Sequence, residues 1–312
     1  MKTIDELKRA LTRHGDELQL YANGVAEDEI GSFELSESRI VILIYRLYEE
    51  YGRTGLQIDY KTQKFLNGLK KQLASIRSIL YDGIEDDLED ELPELVEEEN
   101  NFWKWFFGFG GLNAAMLERI SKYGVYNGFT RKQIIEKVRQ SDLERLYGTI
   151  AGGINAKMNL TDLMRDLRKK FNVSRRDVKT EIEAIINGTV NDTAIEFASN
   201  YGLKLIYTAV MDNHVCSVCA EFNGTVYQAD DPDLPTLPRH INCRCMLIPA
   251  DDREIQPASF REYLTAMPES EQRKRLGNAK YELWQSGEYA LRRYEDPLPG
   301  QRMSLNEITI QG

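Results

Sequence analysis

The stretch that decides the fold begins Leu203-Lys204-Leu205-Ile206-Tyr207-Thr208-Ala209-Val210 and runs on to Cys216-Ser217-Val218-Cys219. After a gap of twenty residues it closes with His240-Ile241-Asn242-Cys243-Arg244-Cys245. The first segment is rich in β-formers and alternates loosely, so it reads as a strand. Gly224-Thr225-Val226-Tyr227 and Cys245-Met246-Leu247-Ile248 read as two more short strands, separated by a loop punctuated by Pro232, Pro235 and Pro238. All four cysteines of the chain fall between positions 216 and 245. An even scatter would suggest a disulfide framework, whereas four thiols inside thirty residues of a large chain suggest a metal.

A CxxC turn lets two thiolates reach one ion from a single loop, and the second cluster offers His240, Cys243 and Cys245. That makes five candidates, Cys216, Cys219, His240, Cys243 and Cys245, for a four-coordinate tetrahedral zinc. The first choice of shell is Cys216, Cys219, His240 and Cys243. Cys245 is the alternative and could displace His240. A shell of thiolates and imidazole with no open position is structural, and the sheet is too small to bury much area alone. Metal binding would then supply the missing folding free energy, of order 10 kcal/mol in small zinc modules. The competing readings are cysteines that act as small buried hydrophobes, or a disulfide. His214, two residues before the CxxC, reads as a loop residue facing solvent or as a donor to a ligand.

Upstream of residue 200 the pattern is helical. Leu7, Leu11 and Leu18 belong to one or two short amphipathic helices, with His14 at the surface. Ser36-Glu37-Ser38 is read as the cap of a helix over 40–51. Phe65, Leu69, Leu73, Ile76 and Leu80 give one stripe to a long helix over 58–80. Residues 82–99 then hold eleven Asp or Glu and no Lys or Arg, a solvated helix face or linker, or else a docking surface for a basic partner. The aromatic run 102–109 reads as buried core at a junction between two helical layers, with anchoring of another subunit as the alternative. From 131 to 180 the charge reverses, with thirteen Lys or Arg against six acids, over helices at 131–139, 141–158 and 161–171. Asn159-Leu160-Thr161-Asp162 supplies an N-cap for the last of these. A further helix over 175–201 turns Val178, Ile182, Ile185, Ile186, Val190, Ala194 and Phe197 inward and stops at Gly202. Helices return at 260–267 and from 269 to about 291, followed by a weak tail.

The fold expected is therefore mainly α, with a small zinc-stabilised antiparallel β-sheet (α+β) in the C-terminal half. Three regions are expected: helical 1–130, a domain at 131–250 carrying the zinc motif, and a helical extension with tail at 251–312. The net charge of -10 and pI near 5.1 argue against a protein coated in DNA-binding charge, though not against a local basic surface. The charged start, Lys2-Thr3-Ile4-Asp5-Glu6, is not a secretory signal, and the longest apolar run, 40–45, falls far short of the ~20 residues that span a bilayer. A soluble, cytoplasmically made protein without a membrane partner is expected. No zincin HExxH, nucleophile elbow or phosphate loop occurs, so an enzyme is not expected.

At these residues the chain resembles the phage head-morphogenesis family named for the Mu F protein. That family's pattern has a strand, an acidic turn (here Met211-Asp212-Asn213), a CxxC with a Gly-containing hairpin (Phe222-Asn223-Gly224-Thr225-Val226-Tyr227) and a closing Pro238-Arg239-His240-Ile241-Asn242-Cys243-Arg244-Cys245. The preceding helix also matches, in 178–187, as does Ser259-Phe260-Arg261-Glu262-Tyr263-Leu264 with Tyr281-Glu282-Leu283-Trp284-Gln285-Ser286-Gly287 downstream. Lys179-Thr180-Glu181 departs from the usual Arg-Thr-Glu, and His240-Ile241-Asn242 from the commoner His-Pro-Asn. The likeness covers about 130–290.

The resemblance implies a low-copy minor head protein of the virion, acting inside the capsid at the portal vertex in assembly, with some members leaving with the genome. The partner implied is the portal protein, met through residues 1–130. Capsid or scaffolding proteins and weak, non-specific double-stranded DNA are further candidates, the DNA through the basic excess at 131–180. The alternative is a zinc-containing toxin or hydrolase, of nuclease or ADP-ribosyltransferase type, using the same domain. His240 and Asn242 superficially fit a nuclease, but they lie among thiolates that do not suit a phosphate-cleaving Mg site.

Overall fold

The computed structural model describes residues 2–51, 60–126, 128–209, 216–240, 242–253, 255–257 and 260–288. His214, the turn at 211–213 and the tail beyond 288 lie outside the described residues. The chain runs α1 (Ile4–Gly31), α2 (Phe33–Tyr51), α3 (Tyr60–Phe107), α4 (Ala114–Tyr123), β1 (Val125–Tyr126), β2 (Phe129–Thr130), α5 (Arg131–Asn155) and α6 (Leu160–Tyr201). Then follow β3 (Lys204–Thr208), α7 (Ser217–Phe222), β4 (Val226–Gln228), β5 (Met246–Ala250), α8 (Phe260–Thr265) and α9 (Glu269–Gln285). The fold is mainly α with one small antiparallel sheet in the C-terminal half, as the patterning indicates. The chain forms two compact units, each gathered from separated stretches: Met1–Val25, Asp90–Gly128 and Glu183–Gly312 in the first, Ala26–Glu89 and Phe129–Ile182 in the second.

The first unit contains the sheet, ordered β4-β3-β5 with β3 antiparallel to both neighbours. Ile206 pairs with Val226 on one side and Ile248 on the other, and Tyr207 pairs with Leu247. Each strand sits within a residue or two of its expected place, because alternation sets register better than it sets ends. Leu205, Tyr207 and Leu247 share a core with Phe197 of α6 and with Phe102, Trp103 and Phe106 of α3. Phe102, Trp103 and Phe106 of the aromatic run are thus core of this unit, Trp105 and Phe107 pack against it, and Phe109 is exposed. The glycines that follow carry the chain out of α3: Gly110 has φ +85 and faces the Tyr201 ring so closely that a Cβ would sit 2.6 Å from it. The Tyr201 hydroxyl donates to the Gly111 carbonyl at 2.7 Å.

His14 is not at the surface. It is 2% exposed, stacks on Phe102 with ring centroids 3.5 Å apart, and places Nε2 2.7 Å from Glu99 Oε1. A polar stripe on α1 looked solvated because its partner, an acid inside the charge run, lies 85 residues along the chain.

The second unit packs α2, part of α3, α5 and the first half of α6 around Ile40, Ile44, Leu69, Leu73, Leu146, Ile150 and Leu167. Several helices expected separately are continuous. Residues 131–139 and 141–158 lie in α5, which starts on a Thr130–Gln133 capping box and ends at Asn155. Residues 161–171 and 175–201 lie in α6, started by Asn159, whose side chain accepts the Asp162 N–H at 2.9 Å. Neither junction holds Gly or Pro. Ser174 stays helical by donating to the Lys170 carbonyl at 3.0 Å, one turn back. Likewise α2 starts at Phe33 rather than on a Ser36 cap, and Ser36 Oγ instead accepts from Arg77 at 3.0 Å.

The acidic run is helix rather than linker, and Asp86, Asp87, Asp90, Glu94 and Glu97 lie on its solvated face as expected. It is the second half of α3, a 48-residue helix that continues through Pro93. Ile84, Leu88, Leu92, Leu95 and Val96, all buried, extend the apolar stripe at three- and four-residue steps. In the second unit its acids meet the basic start of α5: Asp82 with Arg139 at 2.6 Å, Glu85 with Lys132 at 2.9 Å, and Glu89 with Arg131 at 3.6 Å. At the far end of the chain, α9 stops at Gln285 instead of about 291, and Gly277 (φ 73, ψ 154) interrupts it.

Candidate metal centre

The two halves of the cysteine motif reach one place by different means. Cys216 is the N-cap of α7, and its Sγ accepts the Cys219 N–H at 3.3 Å, so the CxxC forms a first helical turn with both sulfurs on one side. Asn223 and Gly224 then return the chain to the sheet. The Asn223 side chain accepts the Ala209 N–H at 2.9 Å, and the Gly224 N–H (φ +87) donates to the Tyr207 carbonyl at 2.8 Å. The second half is a tight turn in which the Cys243 N–H donates to the His240 carbonyl at 3.1 Å. Asn242 takes a left-handed φ of 59, which Asn tolerates better than most side chains. Arg239 stacks its guanidinium 4.1 Å over the Phe222 ring, tying this turn to the end of α7.

All five expected ligands come together in two overlapping triples: Cys216, Cys219 and His240, and Cys219, Cys243 and Cys245. Within each triple the ligand atoms lie within 4.8 Å of one another, close enough to hold a metal ion. His240 Nε2 is 3.2 Å from Cys216 Sγ and 3.1 Å from Cys219 Sγ, and the Cys219 and Cys243 sulfurs are 4.0 Å apart. Ligands 2.3 Å from a tetrahedral zinc would be about 3.7 Å from each other, so these separations are near that size. Cys219, Cys243 and Cys245 are buried, and Cys216 is half-buried.

The thiols differ in their affinity for protons. The Cys219 N–H draws Cys216 below the ordinary thiol range. Hydrogen bonding from the Cys245 thiol lowers Cys243, and holding that proton raises Cys245. Burial raises Cys219. A divalent ion entering the cluster would displace the remaining protons, so occupancy is linked to pH.

Three residues outside the motif complete the centre. Asn187 and Asn191 stand one turn apart on α6, both buried. Asn187 Nδ2 donates to the Cys243 carbonyl at 3.2 Å, and Asn191 Nδ2 donates to those of Asn187 at 2.7 Å and Cys245 at 3.4 Å. Asn191 Oδ1 accepts the Leu247 N–H at 2.7 Å, closing the outer edge of β5. Their signal in the sequence is faint: two amides at i and i+4 beside the inward stripe of a helix. Tyr207 is the third. It is 0% exposed and shares one core with Cys219, Cys243 and Cys245, where its hydroxyl has no hydrogen-bond partner among the described residues.

No curated protein and no solved structure matches the chain. A family model does. Residues 121–248 match the model described as Phage Mu protein F like protein. The matched stretch contains α5, α6, the sheet up to Ile248 and all five candidate ligands, and over it the chain is similar to the phage Mu F-like family.

Proposed function

We propose that the protein is a minor structural component of a phage head that acts at the portal vertex during capsid assembly, with the thiol-imidazole cluster holding a structural zinc. The observation that carries this reading is the family match over 121–248, which supports a role in phage head morphogenesis and encloses the whole cluster. The soft donor set supports zinc, since four cysteines and a histidine converge with no carboxylate among them. The shell proposed is Cys216, Cys219, His240 and Cys243, with Cys245 as the alternative to His240. Zinc bound there would cross-link α7 to the turn before β5. Four protein donors leave no coordination position for water or substrate, which supports a structural rather than a catalytic role.

In this reading the region 1–130 meets the portal ring, capsid or scaffolding proteins are further contacts, and the protein resides in the virion, some of it leaving with the genome. The basic excess at 131–180 gives weak, non-specific duplex DNA affinity that falls steeply with salt. Part of that excess already faces Asp82, Glu85 and Glu89, which limits what remains for phosphates. No helix among the described residues is long and apolar enough to cross a membrane.

Mass spectrometry of purified virions, before and after triggered DNA release, tests the role. The protein is expected in intact particles at low copy and in association with portal. Its absence from intact virions would sink the reading. Elemental analysis of the reduced full chain tests the metal, with one zinc per chain expected.

A further inference from the structure

The longest apolar run of the chain, 40–45, wraps round α2 instead of keeping to one side of it. Ile40 and Ile44 are buried in the core of the second unit. On the outer side Leu35 is 62% exposed, Ile42 50% and Tyr45 48%. A helix that is apolar on every side is ordinarily covered on every side. Other large apolar side chains are exposed among the described residues, but no other element carries more than one of them. Single ones are common on any surface, whereas three along one helix face mark a place where something docks.

The face also has a repeat that names its occupant. Leu35 and Ile42 are seven residues apart and Tyr45 three further on, with Ser38 between, which is the spacing of the seam where two helices meet. Glu34 and Arg39 flank this seam, both exposed, and lie about 140° apart round their own helix, so they do not face each other there. A second α2 laid parallel and in register brings each Glu34 against the other copy's Arg39. An antiparallel α2 would instead set Arg39 against Arg46, since both lie on one flank.

We propose that the outer face of α2 is a self-association surface, through which two copies of this chain pair by parallel α2 helices with Leu35, Ile42 and Tyr45 at the seam. The inference depends on neither the metal nor the portal reading. From Glu34 to Arg46 the seam is about 18 Å long. That is small beside a standard interface of roughly 800 Å² per partner, so the pair is weak and forms at roughly tens of micromolar.

Sedimentation velocity of the full chain, from about 5 to about 500 µM, tests this. The mass should rise from 36.0 kDa toward twice that value. Ile42→Glu sets two like charges against each other at an exposed position, and should keep the chain monomeric throughout with a melting curve like that of wild type. Glu34→Lys should weaken pairing roughly 10-fold, and Arg39→Glu added to it should restore it; this exchange decides the matter if Ile42→Glu disturbs the fold. p-Benzoylphenylalanine in place of Tyr45 should give, on irradiation, a product of twice the mass joined within α2. A wild-type chain that stays at 36.0 kDa across the whole range would overturn the proposal. So would a dimer that Ile42→Glu leaves intact, a charge exchange that fails to restore pairing, or a photoproduct of single mass joined to another part of the same chain.

Discussion

Among the five candidate ligands Cys219 is the one shared by both triples, and it is buried where Cys216 is not. Cys219→Ser should therefore leave well under one equivalent of zinc on the full chain, and elemental analysis against wild type checks this. Cys243 and Cys245 should not be equivalent. Cys243→Ser should release the metal, while Cys245→Ser should cost only a packing loss of about 1–2 kcal/mol. Equal loss from both would point to four thiolates with His240 outside the shell. Asn191→Ala strands the Leu247 N–H and the Cys245 carbonyl, and should lower stability by about 1–3 kcal/mol in thermal melts. A different residue sets a pH dependence. Burial, with the Glu196 carboxylate one turn on, pushes Asp192 up to about 7. Folded Asp192 thus keeps a proton that the unfolded chain gives up near its ordinary value of 3.8, so its contribution to stability falls as pH rises from about 4 to 7. Asp192→Asn removes that loss. It should be more stable than wild type at pH 8 by about 1–3 kcal/mol and close to it at pH 4, as read from paired melting curves.

At the scale of elements, the second unit hangs on one buried polar knot. Arg77 of α3 is 0% exposed and places Nε 2.9 Å from Asp142 Oδ2 of α5, which is 1% exposed. Asp142 also accepts from Tyr81 at 3.1 Å and from Ser174 of α6, and Arg77 donates to Ser36 of α2. Asp142→Ala would leave a buried guanidinium without its counter-charge and should destabilise by about 3–5 kcal/mol, measured by denaturant titration. Periodicity made the helices legible, since the stripes named from sequence face the cores, with Leu69, Leu73, Val178, Ile182 and Phe197 buried and Phe65 and Ile76 partly so. It did not place their ends. Ser36, Ser141 and Ser174 resemble caps, yet Ser36 and Ser174 spend their hydroxyls inside helices, on Arg77 and on Lys170 with Asp142. The ligands were legible because their spacing is local. Asn187, Asn191 and Tyr207 were not, because a buried polar residue is told from a surface one only by what the rest of the chain places against it.

For the whole molecule, the first unit's core joins Leu7 and Leu11 of α1, Phe102 and Trp103 of α3, and Leu247 beside the cluster. A chain starting at residue 131 should therefore lose the folded first unit, seen as a lost cooperative melt and lost metal uptake, and it cannot serve as a clean probe of portal contact. The same arrangement bears on how the protein is made. The stretches of the first unit are Met1–Val25, Asp90–Gly128 and Glu183–Gly312, so α1 has to wait until the chain well beyond residue 183 is translated before its core can close. At about 5–20 residues per second that wait is on the order of ten to fifty seconds. Throughout it, the apolar face of Leu7, Leu11 and Leu18 is open to chaperones. Uptake of an ion by the proposed centre, whose ligands end at Cys245, would then come only after the sheet's last turn is made, and would act as a check that translation has passed it.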